Sequence, residues 1–246
     1  MKECKGVDCG CVSAASNAHS AALTSRRRLL VGGLAGAAAS MVAGLELGMP
    51  SVARAQTIRS PDDALQTLMD GNRRFVERKL TFYQEDLAVL QQNTAEKQEP
   101  FASVLSCADS RVPVELVFDQ SIGHVFVNRI AGNIATTEIM ASIEYGAAVL
   151  GTKVIIVLGH GNCGAVQATI DGKAVPGQIS ALYRYVRPAV NAAGDSLRAA
   201  TEANAKIQAQ LLRESSPVLA GLVKERKLSI VAAFFDVENG KVTLLS

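Results

Sequence analysis

Three observations predict an α/β fold built on a short, mainly parallel but mixed β-sheet flanked by helices. Short apolar runs recur along the chain, at Ala102–Cys107, Val125–Val127, Lys153–Leu158 and Leu228–Phe235. Segments with helical start and stop signals lie between them, and strands alternating with helices argue for a parallel sheet covered on its faces. The run at 153–158 is β-branched and short, as a strand buried on both faces tends to be.

The elements follow in order. Ser60-Pro61-Asp62-Asp63 supplies a capping hydroxyl, a proline for the first turn and acids for the positive helix end. A helix is therefore predicted through Ala64, Leu65, Leu68 and Met69 to Gly71, and a second from Tyr83 to about Lys97. Thr136 to Leu150 reads as a helix stopped at Gly151. Further helical stretches are expected near Gly177–Tyr185 and Ser196–Arg213, with Pro188 and Pro217 as breaks. Val242–Leu245 reads as a short last strand after the Asn239-Gly240 turn. Neither a repeat nor a low-complexity linker follows residue 55, so residues 56–246 read as one domain.

Hydrophobic residues make up 48% of the chain and aromatics only 4%, with no Trp, so the core must be built from Val, Leu, Ile and Ala. The net charge of +2 is too small for a nucleic-acid footprint. Residues 1–55 hold six basic residues against three acidic ones, a surplus of three, which leaves −1 for the remainder. That segment has the layout of an export signal. Ser25-Arg26-Arg27-Arg28-Leu29-Leu30 is a twin-arginine signature, an apolar run continues to about Leu45, and Ala53-Arg54-Ala55 is a small-x-small cleavage pattern. Cleavage after Ala55 would start the mature chain at Gln56, leave no stable membrane span, and give a periplasmic or otherwise exported protein. An uncleaved anchor is the alternative, weakened by the shortness of the run and by Glu46. Cys4, Cys9 and Cys11 have the look of a metal knuckle, but they fall in the segment to be removed.

Two cysteines remain, Cys107 and Cys163. Cys107-Ala108-Asp109-Ser110-Arg111 and Gly159-His160-Gly161-Asn162-Cys163-Gly164 sit just past the C-terminal ends of two predicted buried strands. In open α/β sheets that edge is where sites form, and neighbouring strands would make these side chains converge. Two thiolates and one imidazole suit zinc, and three protein ligands with an open fourth position is the catalytic arrangement. His124 is the only other His beyond residue 55 and no third Cys exists there, so the fourth position falls to water or to Asp109. Arg111 beside Asp109 would keep that carboxylate ionised and oriented. Blander readings stand beside these: a buried apolar Cys107, a structural His160, a Cys107–Cys163 disulfide and a plain Asp109–Arg111 ion pair. A phosphate loop at Gly159–Gly164 lacks the Walker lysine.

Cys-x-Asp-Ser-Arg followed by His-x-x-Cys resembles the β-class carbonic anhydrases. Gly71-Asn72-Arg73-Arg74-Phe75, Arg129-Ile130-Ala131-Gly132-Asn133 and Phe235–Val242 are similar to further segments of that family, so the resemblance spans roughly residues 60–246. It implies an α/β fold, a homodimer or tetramer, and Zn2+, one per chain, on Cys107, His160 and Cys163. It implies Asp109 and Arg111 as the catalytic pair, with Asp109 as fourth zinc ligand in a closed state. The reaction implied is reversible hydration of carbon dioxide to bicarbonate and a proton by zinc-bound hydroxide, the work of a lyase. Two thiolates soften the acidifying effect of the metal, so activity is expected to rise toward alkaline pH. Gln98 falls where some members place a glutamine that hydrogen-bonds substrate; as a residue it reads equally as a solvated loop position. His124 is either a proton shuttle or an ordinary surface or interface residue. Val104 stands where some bacterial members carry a Trp of a non-catalytic bicarbonate pocket, which argues against that form of regulation. Two other functions fit the same motifs: hydrolysis of carbonyl sulfide or carbon disulfide, and non-catalytic zinc binding with Asp109 closing the metal.

Overall fold

The computed structural model of the chain describes residues 60–84 and 87–246; the predicted export signal and its cysteines lie outside them. Five strands form one sheet: β1 (Ala102–Ser106), β2 (Val125–Arg129), β3 (Val154–His160), β4 (Ser229–Phe235) and β5 (Val242–Leu245), in spatial order β2-β1-β3-β4-β5. All pairings are parallel except that of β5 with β4. Each predicted strand is present, and the sheet is mainly parallel and mixed as expected.

Alternation along β3 divides the core. Val154, Ile156 and Leu158 point to one face, where they meet Ala64 and Leu68 of α1 (Pro61–Val76) and Val114 and Val117 of the short α3 (Val114–Val117). Ile155 and Val157 point to the other. There they meet α4 (Thr137–Glu144) with the π-helical turn Tyr145–Val149 that continues it, α7 (Leu197–Ser215) and α8 (Pro217–Lys224). A third apolar cluster, built from α5 (Gly164–Asp171) and α6 (Tyr183–Ala193), surrounds Cys107 and Cys163. Among the described residues no helix is long and apolar enough to cross a membrane.

The helix starts predicted at Ser60, Thr136 and Ser196 hold. Ser60 Oγ accepts from the Asp63 N–H at 3.1 Å, and Thr136 Oγ1 caps α4 through Ile139. Other expectations need correction. The helix expected to stop at Gly71 runs on to Val76, because Gly71 is where α1 crosses the backbone of Phe118. A Cβ there would stand 1.8 Å from the Phe118 oxygen. The second helix resolves into a 3-10 turn (Phe82–Gln84) and α2 (Leu87–Thr94). Pro188 does not break the chain but sits inside α6. Burial of Val186, Ala189 and Val190 on its core face outweighs the roughly 3 kcal/mol that an interior proline costs. Pro217 does start a new element, at the first turn of α8, where its missing N–H is harmless. Helices α3, α5 and α8 were not anticipated; each has eight residues or fewer, too short for a periodic signal.

The Gly71–Phe75 motif braces the molecule. Asn72, buried, donates to the carbonyls of Val117 (3.1 Å) and Gly240 (2.9 Å) and accepts from the Val242 N–H (2.8 Å). It thereby ties α1 to the β4–β5 turn. Arg74 pairs with Asp119, whose side chain has no exposure and also accepts from the Thr81 and Phe82 N–H groups and the Thr81 hydroxyl. Burial pushes the Asp119 carboxyl up, but Arg74, Phe82 and Thr81 outweigh it and hold it below the usual carboxylate range. A depressed folded-state pKa stabilises above the unfolded value of about 3.9, and that stability is lost as pH falls through the folded value. Asp119→Asn is expected to cost about 2–4 kcal/mol at pH 7. Urea unfolding across pH should show the gap to wild type closing below about pH 4.

Candidate metal centre

After β1 the chain moves to β2 on one side, then crosses back to β3 on the other. The C-terminal ends of β1 and β3 therefore flank the point where the winding reverses, where the outgoing loops part and leave a crevice. Cys107 follows the last residue of β1, His160 ends β3, and Cys163 caps the N-terminus of α5. Between the last two, Asn162 takes a left-handed φ of +54°, which helps turn the chain from strand into helix within so few residues.

The Cys107, His160 and Cys163 donor atoms lie within 4.8 Å of one another, and all three residues are buried. Both thiols are free, so the disulfide is not formed. His160 Nδ1 stands 2.9 Å from the Gly161 carbonyl. A carbonyl only accepts, so Nδ1 carries the proton and Nε2 presents its lone pair. That Nε2 is buried without a hydrogen-bond partner. An orphaned imidazole lone pair facing two buried sulfurs is costly unless something accepts from it, and a soft cation does so. Zinc fits this donor set.

The two thiols are shifted in opposite directions. Cys107 is lowered, chiefly because the Cys163 thiol donates to it; burial opposes this, while the Gly132 N–H, 3.3 Å from Cys107 Sγ, assists. Cys163 is pushed up, first by that same bond to Cys107 and then by burial. The charge of a bound cation would favour the thiolate form of both sulfurs.

Asp109 and Arg111 meet as a two-point pair. Arg111 Nε reaches Oδ1 at 2.9 Å and Nη2 reaches Oδ2 at 2.7 Å, while the Arg111 N–H also donates to Oδ1. Arg111 is the first cause that holds the Asp109 carboxyl well below the usual carboxylate range. Asp109 Oδ2 lies 3.9 Å from His160 Nε2, so an ionised carboxylate borders the donor set without bonding to it. Arg111 also donates to the Asn162 carbonyl (3.0 Å) and so spans both ligand-bearing segments.

Two predicted residues are not brought to this set. Gln98 is exposed in the segment leading into β1, beside Thr94, Lys97, Tyr145 and Leu150. His124 is buried at the start of β2, at the other end of the ladder, where its ring packs on Phe101. Arg129 has a role that residue type alone does not suggest. It donates to the carbonyls of Cys107 (3.0 Å) and Asp109 (2.6 Å), fixing the backbone that carries both. Its only sequence signal is its place in the Arg129–Asn133 motif.

A three-donor nitrogen and sulfur cradle beside a carboxylate, at the switch point of a mainly parallel sheet, has the donors and the setting of a metal-dependent α/β enzyme. The carbonic anhydrase family model matches residues 102–242. A carbonic anhydrase of Mycolicibacterium smegmatis is 34% identical over 196 residues, covering 76% of this chain and 94% of its own length. Carbonic anhydrase 2 of Mycobacterium tuberculosis is 31% identical, covering 75% and 93%. Among solved structures, the Coccomyxa β-carbonic anhydrase in complex with acetazolamide is similar at 25% identity and TM-score 0.59, over 74% of this chain and 86% of that one. A Sordaria macrospora β-carbonic anhydrase described as tetrameric reaches TM-score 0.60 at 22% identity, over 75% and 98%. The chain belongs to the β-class carbonic anhydrase family. With that membership come the enzyme class, a lyase (carbonate dehydratase), and the use of zinc.

Removing one donor is expected to empty the cradle. Cys163→Ser, dialysed against a chelator and assayed by elemental analysis, should retain far less than the roughly one zinc per chain expected of wild type.

Proposed function

We propose that this chain catalyses the reversible hydration of carbon dioxide to bicarbonate and a proton, with zinc held by Cys107, His160 and Cys163. The observation that carries this reading is the two-point Arg111–Asp109 pair standing against the donor set. Zinc supplies a water acidic enough to act as a nucleophile near neutral pH, an effect for which carbonic anhydrase is itself the familiar example. The residues of the chain supply the rest. Asp109, ionised, accepts a hydrogen bond from the attacking oxygen and so aims its lone pair at the substrate carbon. Arg111 donates to both Asp109 oxygens, which would hold the carboxylate back from a metal bound by Cys107, His160 and Cys163 and favours an open site over one closed by Asp109. Arg129 holds the Cys107–Asp109 backbone in register, so ligand and carboxylate keep a fixed separation. The apolar cluster behind the thiols limits water around the donors.

Asp109→Asn keeps the shape and loses the charge. It is expected to retain zinc yet lose roughly 10²-fold or more in stopped-flow carbon dioxide hydration. Full activity with zinc bound would remove Asp109 from the mechanism.

The same reading includes a homo-oligomer, dimer or tetramer, supported by the tetrameric description of the Sordaria relative and by exposed Tyr83, Leu87 and Val149. It also includes export. Support comes from Arg26-Arg27-Arg28 ahead of an apolar run and from the Ala53-Arg54-Ala55 pattern. N-terminal sequencing of the exported protein should start at Gln56, and replacing all three arginines by Lys should keep the chain inside the cell.

A further inference from the structure

One face of α7 carries Thr201, Asn204, Ala205 and Gln208, all buried. Two amide side chains without exposure are costly inside an apolar layer unless their polar atoms are matched. Here they are matched largely by one loop. Asn204 Nδ2 donates to the Gly132 carbonyl at 2.8 Å, and Gln208 Oε1 accepts from the Ala135 N–H at 2.9 Å. Gln208 Nε2 completes the network, reaching Asn204 Oδ1 at 3.2 Å and the Tyr185 carbonyl at 3.1 Å. The loop so held, between β2 and α4, is the one whose Gly132 N–H points at Cys107 Sγ. Gly132 has φ +80°, and a Cβ there would touch Ala165 and Val186 at 3.4 Å, so the loop also packs closely against α5 and α6.

We propose that Asn204 and Gln208 are positioning residues for Cys107: they hold the Gly132 amide on the sulfur and thereby set how much negative charge that thiolate gives to zinc. The proposal rests on the reading of Cys107 as a zinc ligand. A hydrogen bond to a metal-bound sulfur withdraws charge from it, and outer partners of this kind typically alter metal affinity about 10–100-fold. A buried polar pair serving packing alone would affect stability and leave the metal unaltered.

The test uses the full chain in four forms: wild type, Asn204→Leu, Gln208→Glu and Leu68→Ala. Leu68 is buried on the opposite face of the sheet, so its truncation costs stability without touching the loop. Two readings are taken on each, zinc affinity by chelator competition and the thiolate-to-metal charge-transfer band of the cobalt(II)-substituted protein. Asn204→Leu is expected to lose about tenfold or more in zinc affinity and to shift the band. Gln208→Glu keeps an acceptor for Ala135 and should shift it less. Leu68→Ala should lower the melting temperature and leave both readings at wild-type values. A folded Asn204→Leu with wild-type affinity and band would overturn the proposal, as would equal shifts in Leu68→Ala. Should Asn204→Leu fail to fold, a fifth form, Asn204→Asp, which keeps the size and loses the donor to the Gly132 carbonyl, decides by the same criteria. A wild-type protein lacking the charge-transfer band would overturn the ligand reading itself, and the proposal with it.

Discussion

The parallel ladder between β1 and β3 runs from Ala102 against Val154 to Ser106 against Leu158, and the site depends on it. Cys107 leaves one strand and His160 closes the other, so the register decides how far apart their donor atoms fall. A slip of one residue would turn each side chain to the opposite face and send the sulfur away from the imidazole. The register is defended by burial: every residue of both strands is buried, and the two faces take alternate side chains into separate cores. The apolar packing that stabilises the fold is thus what sets the geometry of the polar site.

Electrostatics at the centre then follow from a few fixed groups. Burial of Cys107, His160 and Cys163 makes charge at the donor atoms matter more than it would in water. The Gly132 N–H, the His160 tautomer and the Arg111 fork each come from a segment held elsewhere: the loop after β2, the end of β3 and the turn after β1. Arg111 and Arg129 both donate to backbone carbonyls near the donors, so the two guanidinium groups stitch loops together as well as carrying charge. This explains how short, irregular segments can hold a metal-ready arrangement without being regular structure themselves.

Much of this was legible in the sequence, for identifiable reasons. Cys107, His160 and Cys163 stand out because soft donors are scarce beyond residue 55, and the apolar runs ahead of them mark strand ends. Asp109 and Arg111 are legible through their spacing alone. Gly71 teaches the opposite lesson. A glycine late in a helical run looks alike whether it ends the helix or admits another segment's backbone, and only the Phe118 contact distinguishes the two. Pro188 is similar, since its cost is local and the burial that offsets it is not. Asn204 and Gln208 left no trace because polar residues on a long helix ordinarily face solvent. Their burial depends on where the loop after β2 lands, which is a tertiary matter.

The cradle is also split across the chain. Only His160 and Cys163 are close in sequence; Cys107 arrives from a separate strand, and the two meet when the central ladder closes. Within residues 60–246 the unfolded chain therefore offers zinc a two-donor fragment, while the assembled sheet offers three converging donors. A metal that prefers the native state in this way draws the folding equilibrium toward it by mass action. A bound ion would then act as a lock on the finished topology.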